Sequence, residues 1–64
     1  MTSRLSIFNA YNYYFVSGAK RDLTAPEQTF FSFCCDNHDV ICNEETESND
    51  PVMVEATRLF DKIT

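Results

Sequence analysis

A chain of 64 residues can enclose only one hydrophobic core, because so short a polypeptide buries only about 60% of the surface its unfolded form exposes. Every large apolar side chain has to count toward that core. Apolar residues make up 44% of the sequence, and six Phe and three Tyr, with no Trp, supply its largest rings. Aromatic burial therefore carries most of the area that a fold of this size needs. Small-molecule pockets occupy roughly 300–1,000 Å³ behind walls that are themselves supported. A single domain spanning 1–64 is thus expected to act by binding through a surface and not to be an enzyme, with no cofactor.

Charge narrows the choice of partner. The net charge is −5, and its sign is segregated. Residues 1–21 carry Arg4, Lys20 and Arg21 without an acid, whereas 36–50 carry Asp36, Asp39, Glu44, Glu45, Glu47 and Asp50 without a base. A nucleic-acid binder displaces counterions from phosphates with clustered Lys and Arg. Five such residues scattered along the chain argue against direct nucleic-acid binding. No run of about 18 apolar residues suggests a membrane span, and the N-terminus has no signal-peptide pattern. Three cysteines, Cys34, Cys35 and Cys42, are an odd number, unlike the paired sets of secreted mini-domains. The expected setting is cytoplasmic, with reduced thiols.

The element that the sequence states most directly is C-terminal. Asn49-Asp50-Pro51 places a capping side chain before a proline suited to a first helical turn, and Val52, Ala56, Leu59, Phe60 and Ile63 come after it at spacings of three and four. Glu55, Arg58, Asp61 and Lys62 take the other side, so an amphipathic helix is expected over about 51–63. Met53 and Val54 widen its apolar stripe at the start. Before it, residues 43–50 read as a charged, solvated loop.

Two other stretches pull both ways. From Leu5 to Val16 the residue types, among them Ile7, Phe8, Tyr11, Tyr13, Tyr14 and Phe15, favour strand, and Asn9 and Asn12 are poor in helix interiors. The spacing of Leu5, Phe8, Tyr11 and Phe15 also fits one helical face, with Gly18 placed as a C-terminal cap. Further on, Thr24-Ala25-Pro26-Glu27 has the form of a capping box. Yet residues 28–35, with Phe30, Phe31, Phe33, Cys34 and Cys35, have mediocre helix propensity. Asp36-Asn37-His38-Asp39 offers turn-forming side chains, and Val40-Ile41-Cys42 reads as a return strand. The resulting expectation is an α+β fold, a three-stranded antiparallel sheet covered by the C-terminal helix, with an all-α three-helix bundle as the alternative.

Candidate chemistry is sparse. Cys34, Cys35, His38 and Cys42 are the only cluster of soft metal ligands, and four donors match a tetrahedral zinc site. Zinc ligands usually pair two to four residues apart so that a turn can converge them. Adjacent cysteines do not, and buried thiols with a turn histidine are the plainer reading, with no metal expected. The acids of 36–50 miss the alternate-position pattern and central glycine of a calcium loop. With one glycine in the chain, Gly-rich phosphate loops are excluded.

The remaining capacity is docking. Glu44, Glu45, Glu47 and Asp50 are candidates for steering a basic partner, and Tyr11, Tyr13 and Tyr14 for contact area, since tyrosine is enriched at interfaces. The expected function is a small acidic protein-interaction module, a modulator or inhibitor that occupies the basic or nucleic-acid-binding surface of a larger protein. A zinc-stabilised adaptor using Cys34, Cys35, His38 and Cys42, or a structural homodimer, stands as the alternative.

Overall fold

No proline and no glycine interrupts the chain between Arg4 and Ser17, and in the computed structural model, which describes residues 3–63, this stretch is helical. Helix α1 runs Arg4–Gly18, opened by the Ser3 side chain accepting from the Ser6 amide. Gly18 is not in a left-handed conformation. The helix closes instead through tight turns in which the Lys20 and Arg21 amides both bond to the Ser17 carbonyl at 2.9 Å. Helix α2 runs Ala25–Asp36, α3 is the single turn His38–Ile41, and α4 runs Pro51–Asp61.

The expected sheet is corrected: among the described residues there is no strand, and the architecture is all-α. Burial on one face explains the first correction. Residues 5–16 as a fully extended strand would run about 40 Å. As a helix the same segment shortens to about 20 Å and brings Ile7, Ala10, Tyr11 and Tyr14 onto one face, where all four join the core. Propensity opposes this by at most about 0.7 kcal/mol per residue. Burial of one large apolar side chain returns about 1.5–3 kcal/mol, so tertiary packing decides.

The second correction concerns the expected hairpin. Thr24 donates its amide to Glu27 Oε1 at 2.8 Å, which starts α2, and Phe30 and Cys34 then fall one turn apart on its buried side. A break does occur where the turn residues stand. Asn37 leaves helical geometry at φ −120° and donates its side-chain amide to the Phe33 carbonyl at 2.9 Å. Beyond this break the chain forms α3 and not a return strand, because the Val40 and Ile41 amides bond back to the Asn37 carbonyl and Ile41 is buried completely. The freed carbonyls at the end of this turn find partners. Thr46 Oγ1 donates to Val40 at 2.9 Å and Arg4 Nη1 to Ile41 at 2.8 Å.

Helix α4 is capped by Asp50, whose Oδ1 accepts from the Val52 amide at 2.9 Å, with Pro51 in the first turn. Met53, Ala56 and Leu59 enter the core from it, while Val54 faces out. Helices α1, α2 and α4 each pack on the other two, and α3 touches all three. The contacts set the directions. Tyr14 meets Phe30, Phe15 meets Phe31, and Arg4 meets Ile41, so α1 and α2 run antiparallel. At the centre Phe30 is fully buried, its ring 6.0 Å from Tyr14 on α1 and 5.4 Å from Phe60 on α4.

One ion pair closes the α1–α2 connection. Arg21 grips Glu27 with two bonds of 3.0 and 3.1 Å, and Glu27 is only 8% exposed. The Arg21 guanidinium, followed by the Thr24 amide, holds the Glu27 carboxyl down at about 2.

This packing leads to two expected outcomes. Phe30→Ala is expected to cost about 3–5 kcal/mol, enough to leave so small a domain largely unfolded, as read by urea denaturation under circular dichroism. For Glu27 the folded-state carboxyl lies below its ordinary 4.5, so its contribution to stability is present above 4.5 and fades as pH falls toward 2. Glu27→Gln should therefore lower the thermal midpoint at neutral pH, with the difference from the unaltered chain shrinking across that acid range.

Candidate functional site

A helix that is apolar on every side is normally buried on every side. Helix α1 is apolar nearly all round, yet only Ile7 and Tyr14 are buried in it. Its outward residues Leu5, Tyr13, Phe15 and Val16 are exposed, Phe15 by 66%. The antiparallel pairing of α1 with α2 then lays a stripe of α1, made of Phe8, Tyr11, Asn12 and Phe15, along the end of α2 and the turn of α3. Phe8, Tyr11, Asn12 and Phe15 with His38 and Cys42 line a groove of about 440 Å³.

Aromatic contacts hold its lining side chains in place. Phe31 of α2 lies 5.4 Å from Tyr11 and 6.3 Å from Phe15, centroid to centroid. Tyr11 meets the His38 ring edge-on at 5.9 Å, and the Arg4 guanidinium sits 5.6 Å over the Phe8 ring. Such pairs contribute about 0.5–1.5 kcal/mol each beyond area burial.

A short polar chain runs through this wall. The Tyr11 hydroxyl lies 3.7 Å from Cys35 Sγ, to which it donates, and 3.3 Å from His38 Nδ1. Cys42 Sγ lies 3.6 Å from the same nitrogen. Burial, then the bond to Cys35, pushes the Tyr11 hydroxyl up to about 12, so it stays protonated and can donate throughout the neutral range. Cys34 takes no part: it is fully buried among core side chains, and that burial pushes its thiol up to about 12.

The sequence candidates are thereby separated. Tyr14 is 8% exposed and packed on Phe30, while Tyr13 is 61% exposed. Tyr11 lines the groove. Glu44, Glu45 and Glu47 stand exposed in the connector, but Asp50 is engaged in capping α4. Cys34 faces the core, whereas Cys35, His38 and Cys42 face Tyr11, so the four soft donors are not brought together. Among the described residues no group of three or more His, Cys, Asp and Glu could hold a metal ion. None of the described helices is long and apolar enough to cross a membrane.

Phe8 and Asn12 are the groove residues that sequence reasoning did not single out for docking. The signal for Phe8 was its helical spacing with Tyr11 and Phe15, visible but outweighed by strand-type composition. Larger depressions exist, such as one of about 690 Å³ between α2 and α4, where Ala25, Phe33 and Leu59 are interspersed with Gln28, Thr29, Ser32, Asp36, Glu55 and Arg58.

Comparison with protein-family models, with curated proteins and with solved structures finds no match for this chain.

The two adjacent tyrosines should behave differently. Tyr14→Ala is expected to cost about 3 kcal/mol or more by opening the core, whereas Tyr13→Ala, which removes an exposed ring meeting Tyr14 edge-on at 5.1 Å, should cost only about 0.5–1.5 kcal/mol. Thermal denaturation of both variants checks the assignment.

Proposed function

We propose that this protein is a small helical interaction module that docks through the α1 groove onto a segment of another protein carrying apolar anchors and basic charge. The observation that carries the reading is the outward face of α1, where Phe15 is 66% exposed at the mouth of a 440 Å³ aromatic groove. Apolar area of this kind, rimmed by polar residues, marks interaction sites on small proteins. The groove ends at His38 and Cys42, the turn from which the acidic segment departs, and the chain before, within and after that turn carries Asp36, Asp39, Glu44, Glu45 and Glu47 without a Lys or Arg. Carboxylates so placed steer a basic partner and orient it on the groove. The action is binding and not turnover, in a cytoplasmic setting that suits three free thiols.

A second reading is favoured by the segregation of charge. Arg4, Lys20 and Arg21 accompany α1, while the acids lie in 36–50, so α1 of one copy complements the connector of another. Self-association through α1 would cover Leu5, Tyr13 and Val16 as well.

A synthetic amphipathic peptide of leucine and lysine serves as the probe, its binding to the full chain read by fluorescence anisotropy at low and high salt. Phe15→Ser should weaken binding about tenfold, or 1.4 kcal/mol, without altering its salt dependence. Replacing Glu44, Glu45 and Glu47 by Gln should flatten the salt dependence. Binding that ignores both changes would overturn the docking reading, and mass that falls on dilution in light scattering would favour self-association.

A further inference from the structure

Independently of any docking partner, we infer that Cys42 is a covalent acceptor site for apolar carbon electrophiles of the α,β-unsaturated carbonyl class, with His38 taking the thiol proton and the aromatic groove holding the apolar tail. Three features converge on this thiol. Cys42 Sγ lies 3.6 Å from His38 Nδ1, within reach for proton transfer to the ring. The thiol is half-buried and forms part of the wall of the 440 Å³ groove, beside Phe8, Phe15 and Asn12. The third is the Tyr11 hydroxyl, whose oxygen lies 3.7 Å from Cys35 Sγ and 3.3 Å from the same His38 nitrogen, so the ring that takes the Cys42 proton is held at that edge by a second polar contact.

The step balances without an oxidant. As His38 Nδ1 accepts the thiol proton, the sulfur electron pair forms a bond to the β-carbon, and the carbon–carbon π pair moves toward the carbonyl oxygen as an enolate. The α-carbon then takes a proton back from the His38 imidazolium. The product is a thioether, with no leaving group and no change of oxidation state across the pair. Asn12, whose side chain shares the groove wall, supplies an amide donor for the enolate oxygen. Phe8 and Phe15 face whatever chain the electrophile carries.

The other two thiols serve as internal controls. Cys34 is fully buried and held protonated, which removes it from competition. Cys35 is exposed, but its sulfur accepts from Tyr11 and it is not part of the groove lining. Exposure alone would therefore select Cys35, and only the His38–Tyr11 arrangement and the groove select Cys42.

The test treats the full chain with a substoichiometric series of N-alkylmaleimides of increasing alkyl length, and locates and times the adducts by intact-mass and peptide-mapping mass spectrometry. Cys42 is expected to react first, at a rate rising by up to about fourfold per added methylene that the groove buries, while Cys35 shows no dependence on length. His38→Ala should slow Cys42 by at least about tenfold and leave Cys35 unchanged, in protein whose helical circular dichroism is retained. If that variant does not fold, the length dependence in the unaltered chain decides alone. Equal labelling of Cys35 and Cys42, or a Cys42 rate indifferent to alkyl length, would overturn the inference.

Discussion

Phe30 is the side chain through which the three long helices are held together. It is fully enclosed and meets Tyr14 of α1 on one side and Phe60 of α4 on the other. In a chain of 64 residues the total apolar burial is small, so a single aromatic at the junction of three elements carries a large share of the cohesion. Ile7, Met53 and Ile41, also fully buried, add one core side chain each from α1, α4 and α3, and Ile41 thereby brings in the remaining element. Cys34 fits among them as a small apolar side chain.

The orientation of the parts depends on polar contacts at the ends of helices. Glu27 is shared between the Thr24 amide and the Arg21 guanidinium, so the same carboxylate that starts α2 also anchors the end of the α1–α2 connection. At the opposite end, Arg4 reaches the Ile41 carbonyl and ties the start of α1 to the end of α3. With α1 held at both ends, its register against α2 is set, and Phe8, Tyr11 and Phe15 come to lie along Phe31, Cys35 and His38. The groove is a consequence of that register, since its two walls come from helices that meet only in the folded chain.

Helix α1 satisfies two demands at once. One face supplies Ile7 and Tyr14 to the core, and the outward faces keep Leu5, Tyr13, Phe15 and Val16 in contact with water. Exposed apolar area of this extent is costly for a small protein, and the segment with the highest density of carboxylates follows in sequence directly after Cys42, at the end of the groove. The exposed apolar face is the basis for the proposal that the molecule is a binding module. The thiol of Cys42 stands within that surface beside a histidine and a tyrosine, which gives the groove a chemistry that its shape alone does not imply.

Local start signals were legible without coordinates: the Thr24–Glu27 box and the Asp50–Pro51 cap depend on neighbours a few residues apart, and both are present in the folded chain. So were the segregation of charge and the stripe of Ala56 and Leu59 on α4. The conformation of residues 5–16 and 28–42 was not, because their β-branched and aromatic composition prefers a pleated surface by a few tenths of a kcal/mol per residue, and a preference of that size yields to packing. Composition and local capping were determined by the sequence alone. Tertiary structure decided that Tyr14 enters the core while Tyr13 stays outside, that Cys34 turns away from Cys35, and that His38 and Cys42 face Tyr11, because each choice depends on which helix lies opposite, and that is settled only when Phe30 is enclosed.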